Sequence, residues 1–428
     1  MTEEFLHYIW KFQLFNTTQL KLSSGESLLI KNPGIQNLNS GPDFFNSQIR
    51  IGKILWAGNT EIHIKSSDWF SHKHQRDEAY SKIILHVVWE NDKEVLDIYG
   101  NHIPTLELKG LIRKRILDKF KLLKMNTNWI PCATEFNSVD KPIQLLMLNR
   151  ALVERLETKS NRINQLLHLN KNDWEATLYQ YLAKYFGFKT NAVPFELLAT
   201  SIPYNMLLKV RDNRFKLSAL LFGQAGFLDE EFDEEYPNAL RKEFSFLKAK
   251  FNLLPLSKSL WKFMRMRPYN FPTIRIAQLI ALFYRHTNLF QKIIEAESIE
   301  TLKKLFDVRA EQYWDNHFLF NKVSSKKVRK TLGDNSINIL IINTIIPLLF
   351  NYGKKNDRED IKERAISFLE QLPQEKNSII KKWSTFNLKI NSAYDTQALL
   401  QLKTSYCDSK NCLNCTIGNT ILKRQNHD

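Results

Sequence analysis

Between residues 110 and 140 the chain changes its hydrophobic period, and this limits its fold more than any other feature. Before that point short apolar runs, turns and β-branched positions alternate, the pattern of a mixed α/β domain. From 142 to 400 longer runs with helical spacing dominate. The expected class is therefore α+β, in four parts: an α/β domain at 1–110, a basic helix and linker at 111–141, an α-helical domain at 142–400 and a cysteine-containing segment at 401–428. At about 150 residues per domain, 428 residues accommodate this. Within the first part the pattern predicts a helix over 3–15, strands near 18–31, 44–51 and 54–65, a helix over 69–82 and a strand over 83–90. The order is α-β-β-β-α-β.

The strand 54–65 carries the chemistry. In TEIHIKSS, period two puts Ile62 and Ile64 on one face and Glu61, His63 and Lys65 in a row on the other. Upstream, Gly41 and Pro42 form a turn that delivers Asp43 to the start of the preceding strand. A hairpin through Gly52 and Lys53 then brings Asp43 beside that row. Two carboxylates at close range suit Mg²⁺ or Mn²⁺ at Asp43 and Glu61, with Lys65 or His63 to orient or deprotonate water. Five of the ten histidines fall between His63 and His102. In SSDWFSHKHQRDEAY, His72, His74 and Asp77 are placed at the start of the helix after the strand, beside the scissile phosphate. A transition-metal site built from two histidines and carboxylates is the other use of the same residues. Asp68 is read as a helix N-cap and His86 as a satisfied strand residue.

Pro42-Asp43 followed by Glu61, on an α-β-β-β-α-β order, resembles the PD-(D/E)XK nuclease superfamily over about the first 100 residues. The resemblance implies a metal-dependent phosphodiester hydrolase. It departs at one position: His63 stands where the superfamily usually has lysine, and Lys65 follows two residues on.

Charge agrees with a polyanionic partner. Lys and Arg outnumber Asp and Glu by 61 to 45, a net charge of +16, so DNA or RNA is the expected partner. The cations cluster in Lys109–Lys124, an amphipathic basic helix, and in Lys322–Lys330, while Asp229–Glu235 is acidic. Trp261–Leu279 interleaves Arg and Lys with aromatics, a composition suited either to stacking on a single strand or to a core with a proline-shaped turn before a helix near Thr273. The acidic N-terminus reads as a retained helix, and the apolar run Ile337–Phe350 as a buried helix too short to span a bilayer. A cytoplasmic protein without a membrane partner is expected.

Cys407, Cys412 and Cys415 form C-x4-C-x2-C, and Cys132 is the fourth cysteine. Four thiolates match a closed zinc site or a [4Fe-4S] cluster. The arrangement is similar to nuclease-superfamily members that hold [4Fe-4S] with one early and three late cysteines, though with different spacing. SGPDF, TEIH, DWFSHKH, ILHVVW, FGQAGFL, NFPTIRIAQL and the closing cysteines together resemble, over the full chain, a bacterial family described only as a domain of unknown function. The expected activity is metal-dependent hydrolysis of nucleic acid. The alternatives are a non-catalytic nucleic-acid-binding protein with a structural cysteine site, and a hydrolase of a smaller phosphate ester.

Overall fold

The computed structural model describes residues 1–424. The chain forms two compact units, Met1–Met147 with the chain from Lys403 onward, and Leu148–Leu402. The second unit is thus an insertion into the sequence of the first. This differs from the expected four parts: the basic helix and the cysteine segment both belong to the first unit.

The first unit is α+β. Its elements are α1 (Glu3–Lys11), β1 (Leu20–Lys21), β2 (Ser27–Asn32), β3 (Ile35–Gln36), β4 (Phe44–Ile51), β5 (Ile54–Lys65), α2 (Asp68–Ser71), β6 (Ile83–Glu90), β7 (Thr105–Glu107) and α3 (Lys114–Met125). The strands form one sheet in the order β1-β2-β4-β5-β6-β7, with β3 also paired to β4. β2, β4 and β5 are antiparallel, whereas β6 and β7 run parallel to β5. The parallel pairing of β5 and β6 requires a crossover, and residues 66–82 supply it. The expected helix over 69–82 is absent: α2 stops at Ser71, and two 3₁₀ turns, His74–Arg76 and Glu78–Tyr80, follow.

The two faces of the sheet are covered differently. Phe5, Leu6, Ile9 and Trp10 of α1 pack on Phe44, Ile49, Ile62, Leu85 and Val87. Phe120 and Leu123 of α3 join the same core, with Phe5 and Phe120 rings stacked at 4.0 Å. Leu413 and Leu422 complete it. The apolar side of the basic helix therefore faces the core, and one of its cations is committed: Lys119 Nζ donates to the Ile421 carbonyl at 2.9 Å. On the opposite face Trp69, Tyr80, Val95 and Ile103 form a small second cluster under the crossover.

The second unit is helical apart from a short hairpin, His317–Leu319 with Lys322–Val323. Tyr179, Phe186, Phe195, Phe222 and Trp314 are fully buried in it. The Trp261–Leu279 segment divides: Trp261 and the helix from Pro272 are buried, with Arg275 bonded to Gln278, Asn270 and Ser336, whereas Lys262, Arg265, Arg267 and Tyr269 are exposed. The basic stretch leaves Lys322, Lys326, Lys327 and Arg329 exposed while Lys330 is buried. Asp334–Lys355 is apolar and long enough by composition to cross a membrane, and 72% of its most apolar window is buried.

Helices Arg214–Gln224 and Glu235–Phe251 meet at Gly223, where a Cβ would lie 2.1 Å from the Phe244 ring. Phe244 is itself buried. Gly223→Ala should therefore destabilise this unit by about 1–3 kcal/mol through overpacking. A thermal midpoint equal to wild type in calorimetry would contradict the close approach.

Candidate metal centre

The site lies on the sheet face away from α1, where β5 and β6 carry polar residues. Glu61, His63 and His86 point there by strand alternation, because Ile62, Leu85 and Val87 take the other face. Two members of the polar row are buried, Glu61 4% and His63 1% exposed, while Lys65 at its end is exposed. The crossover covers the buried pair.

Asp43 reaches the row from the start of β4. A bulge between Phe44 and Ser47, with Asn46 in the left-handed region at φ 57°, breaks the ladder there. Asp43 and Glu61 then clasp each other through backbone groups. The Asp43 amide donates to Glu61 Oε2 at 3.0 Å, and the Ile62 amide donates to Asp43 Oδ2 at 2.9 Å. His7 of α1 lies 3.1 Å from the same Asp43 oxygen.

The crossover supplies two more imidazoles. Lys73 has φ 63°, a left-handed conformation that folds the chain back between His72 and His74. His63, His72 and His74 consequently offer ligand nitrogens all within 4.8 Å of one another. Glu61 Oε1 is 3.3 Å from His74 Nε2 and 3.7 Å from His63 Nε2. His63 Nε2 is 3.1 Å from His72 Nδ1, and its other nitrogen is 2.8 Å from His86 Nε2. His74 is fixed by Tyr80, whose ring stacks on it at 3.8 Å, and by the edge of Trp69.

Electrostatics keep the inner imidazoles neutral. Burial, reinforced by the charges His86, His74, His72 and His7 would carry, pushes His63 down to about 2. Burial and then His74 push His86 down to about 3. Burial raises the Glu61 carboxyl, with Asp43 adding to the rise and His74 opposing it. For His7 burial acts downward, but the hydrogen bond and charge of Asp43, with Glu3 and Glu61, outweigh it and raise its pKa.

Of the residues singled out in the sequence, Asp43, Glu61, His63, His72 and His74 converge. Asp77 stands apart, exposed, its carboxylate capping the turn at Ala79. Lys65 is exposed, and its ammonium makes no hydrogen bond or ion pair among the described residues. Two participants carry no local signal: His7 arrives from α1, and His86 from a strand paired in parallel. Trp69 and Tyr80, which wall the site, were visible only as aromatics. Asp68 starts α2 rather than capping it, and accepts the Lys65 amide at 2.9 Å.

Cys132, Cys407, Cys412 and Cys415 form a separate group in the same unit. Cys412 and Cys415 sit in one turn, and Cys407 opens the turn before it, closed by the Lys410 amide on the Cys407 carbonyl at 3.2 Å. Cys132 packs against the core that contains Cys412.

No curated protein and no solved structure matches the chain. A family model, that of a protein of unknown function (DUF2851), matches residues 3–378, a span that includes every histidine-site residue and Cys132 and ends before Cys407. The chain therefore belongs to the DUF2851 family.

Proposed function

We propose that this protein is a metal-dependent nuclease that hydrolyses phosphodiester bonds in nucleic acid, with a PD-(D/E)XK-like domain in its first unit. The observation that carries the reading is the meeting of His63, His72 and His74 nitrogens within 4.8 Å beside the buried Glu61 carboxylate. Three imidazoles and a carboxylate make a first-row divalent-ion donor set, and neutral His63 keeps a lone pair for it. Nitrogen donors favour Mn²⁺ or Zn²⁺ over Mg²⁺. A divalent ion there would supply Lewis acidity toward a phosphoryl oxygen and toward water.

The chain's own residues do the rest. His86 holds the His63 ring, the role that second-shell partners play at histidine ligands. For His63 Nε2 to offer its lone pair, Nδ1 must carry the proton and donate to His86 Nε2. Asp43 fixes Glu61 through its amide and retains a carboxylate oxygen at the site edge. His7 is partly exposed beside Asp43, whose hydrogen bond and charge raise its pKa and favour a proton on its ring. The +16 charge supports a nucleic-acid substrate. The packing of α1 on a sheet in which β2, β4 and β5 are antiparallel and β6 runs parallel to β5 supports the nuclease-like fold.

His72 gives a clean test because it is exposed and its removal leaves the core intact. Full-length protein should cut single- or double-stranded DNA or RNA when Mn²⁺ is supplied, and His72→Ala should cut at least about 10-fold more slowly. Binding without cutting of any of the four substrates would replace this reading with that of a nucleic-acid-binding protein. Cutting that His72→Ala leaves unchanged would remove the histidines from the mechanism.

A further inference from the structure

We infer that Cys132, Cys407, Cys412 and Cys415 together bind one tetrathiolate metal centre, zinc or a [4Fe-4S] cluster, that ties the two sequence-distant parts of the first unit together. It is independent of the histidine site. Cys132 packs against the core that holds Cys412, Cys412 shares a turn with Cys415, and Cys407 stands one turn before them, so cysteines about 275 residues apart in sequence lie in one region, with no disulfide among the described residues. Buried cysteines that merely fill a core have no reason to gather.

The local backbone is shaped for it. Cys132 opens a turn whose Glu135 and Phe136 amides both donate to its carbonyl, at 3.0 and 2.8 Å. Cys412 and Cys415 share a tight turn, closed by the Cys415 amide on the Cys412 carbonyl at 3.3 Å. The helix Thr416–Lys423 starts at once and presses on that turn: a Cβ at Gly418 would lie 2.3 Å from the Cys412 carbonyl oxygen. Cys412 and Cys415 are 8% and 7% exposed.

The charge balance fits as well. Four thiolates around Zn²⁺ or [4Fe-4S]²⁺ carry a net charge of −2. Lys124 and Lys410 act on Cys412, and Lys403 acts on Cys407, each in the sense that favours a thiolate. Lys410 is held by a 2.6 Å bond to the Lys124 carbonyl. Metal entry releases the thiol protons to solvent, so the four sulfurs become anionic only as the ion arrives.

The test uses the full chain purified without oxygen and without chelator. Elemental analysis, acid-labile sulfide and the visible spectrum should give either one zinc per chain without colour, or four irons and four sulfides with a brown charge-transfer band. In either case Cys412→Ser/Cys415→Ser should lose that metal, and His72→Ala should keep it. If the double variant does not fold, chelator-stripped wild type titrated with Co²⁺ should show the thiolate-to-cobalt absorption of four sulfurs. Four thiols that react with a thiol reagent in the native, untreated protein overturn the proposal. So does metal content that the double variant leaves unchanged, or cobalt absorption without thiolate character.

Discussion

Glu61→Gln is expected to abolish divalent-ion-dependent cleavage while leaving the first unit folded. The substitution keeps an oxygen to accept the Asp43 amide, now bonded at 3.0 Å. At the other position it turns an anionic oxygen, 3.3 Å from His74 and 3.7 Å from His63, into an amide donor. An N–H there cannot ligate a cation and points its hydrogens at the very ligands that must converge. Mn²⁺ affinity should fall at least about 100-fold, since losing only a supporting partner of a ligand costs up to that much. Without metal, the variant should be as stable as wild type or more so, because a buried carboxylate whose desolvation raises its pKa no longer has to be accommodated. Calorimetric titration with Mn²⁺ and a thermal melt of stripped protein measure both effects. Unchanged Mn²⁺ affinity would remove Glu61 from the donor set.

Acid should unfold the metal-stripped first unit early. His63 and His86 fold with pKa values near 2 and 3, against 6.5 for exposed imidazole. The unfolded chain therefore binds two protons below pH 6.5 that the folded one refuses, and stability is lost as pH falls from 6.5 toward 3. Between pH 7 and pH 5 each histidine withdraws about 2 kcal/mol, at about 1.36 kcal/mol per pKa unit. His7 and Glu61, both with raised pKa, shift the other way and return part of it. Urea denaturation at the two pH values reads the difference. His86→Leu should lower stability at pH 7 but roughly halve the acid loss. The same loss in that variant would place the titrating groups elsewhere.

How much of this was legible in the sequence follows the range over which each signal acts. The bounds of β4, β5 and β6 agree with those read from the sequence, because apolar and polar side chains that go to opposite faces write a period of two into a few consecutive residues. Glu61 and His63 were legible for the same reason, and Asp43 because a hairpin turn is local. Residues 69–82 failed as a helix since Lys73 turns left-handed directly after α2, and the conformation is set by what the segment covers. His7 and His86 were not legible as partners. Their meeting depends on sheet order and on the docking of α1, which no local pattern encodes. The expected separation of the basic helix from the cysteine segment failed likewise, because Phe5–Phe120 and Lys119–Ile421 join residues from opposite ends of the chain.

The insertion of the second unit sets a timetable for synthesis. At about 5–20 residues per second, a ribosome needs roughly 13 to 50 s to make residues 148–402 after it has finished Met147. Throughout that interval the sheet, α1 and α3 have been made, yet the strip of core that Leu413 and Leu422 will close is still bare. A nascent chain in that state offers apolar surface to chaperones, and a message truncated anywhere before codon 403 yields a first unit that lacks its final covering segment.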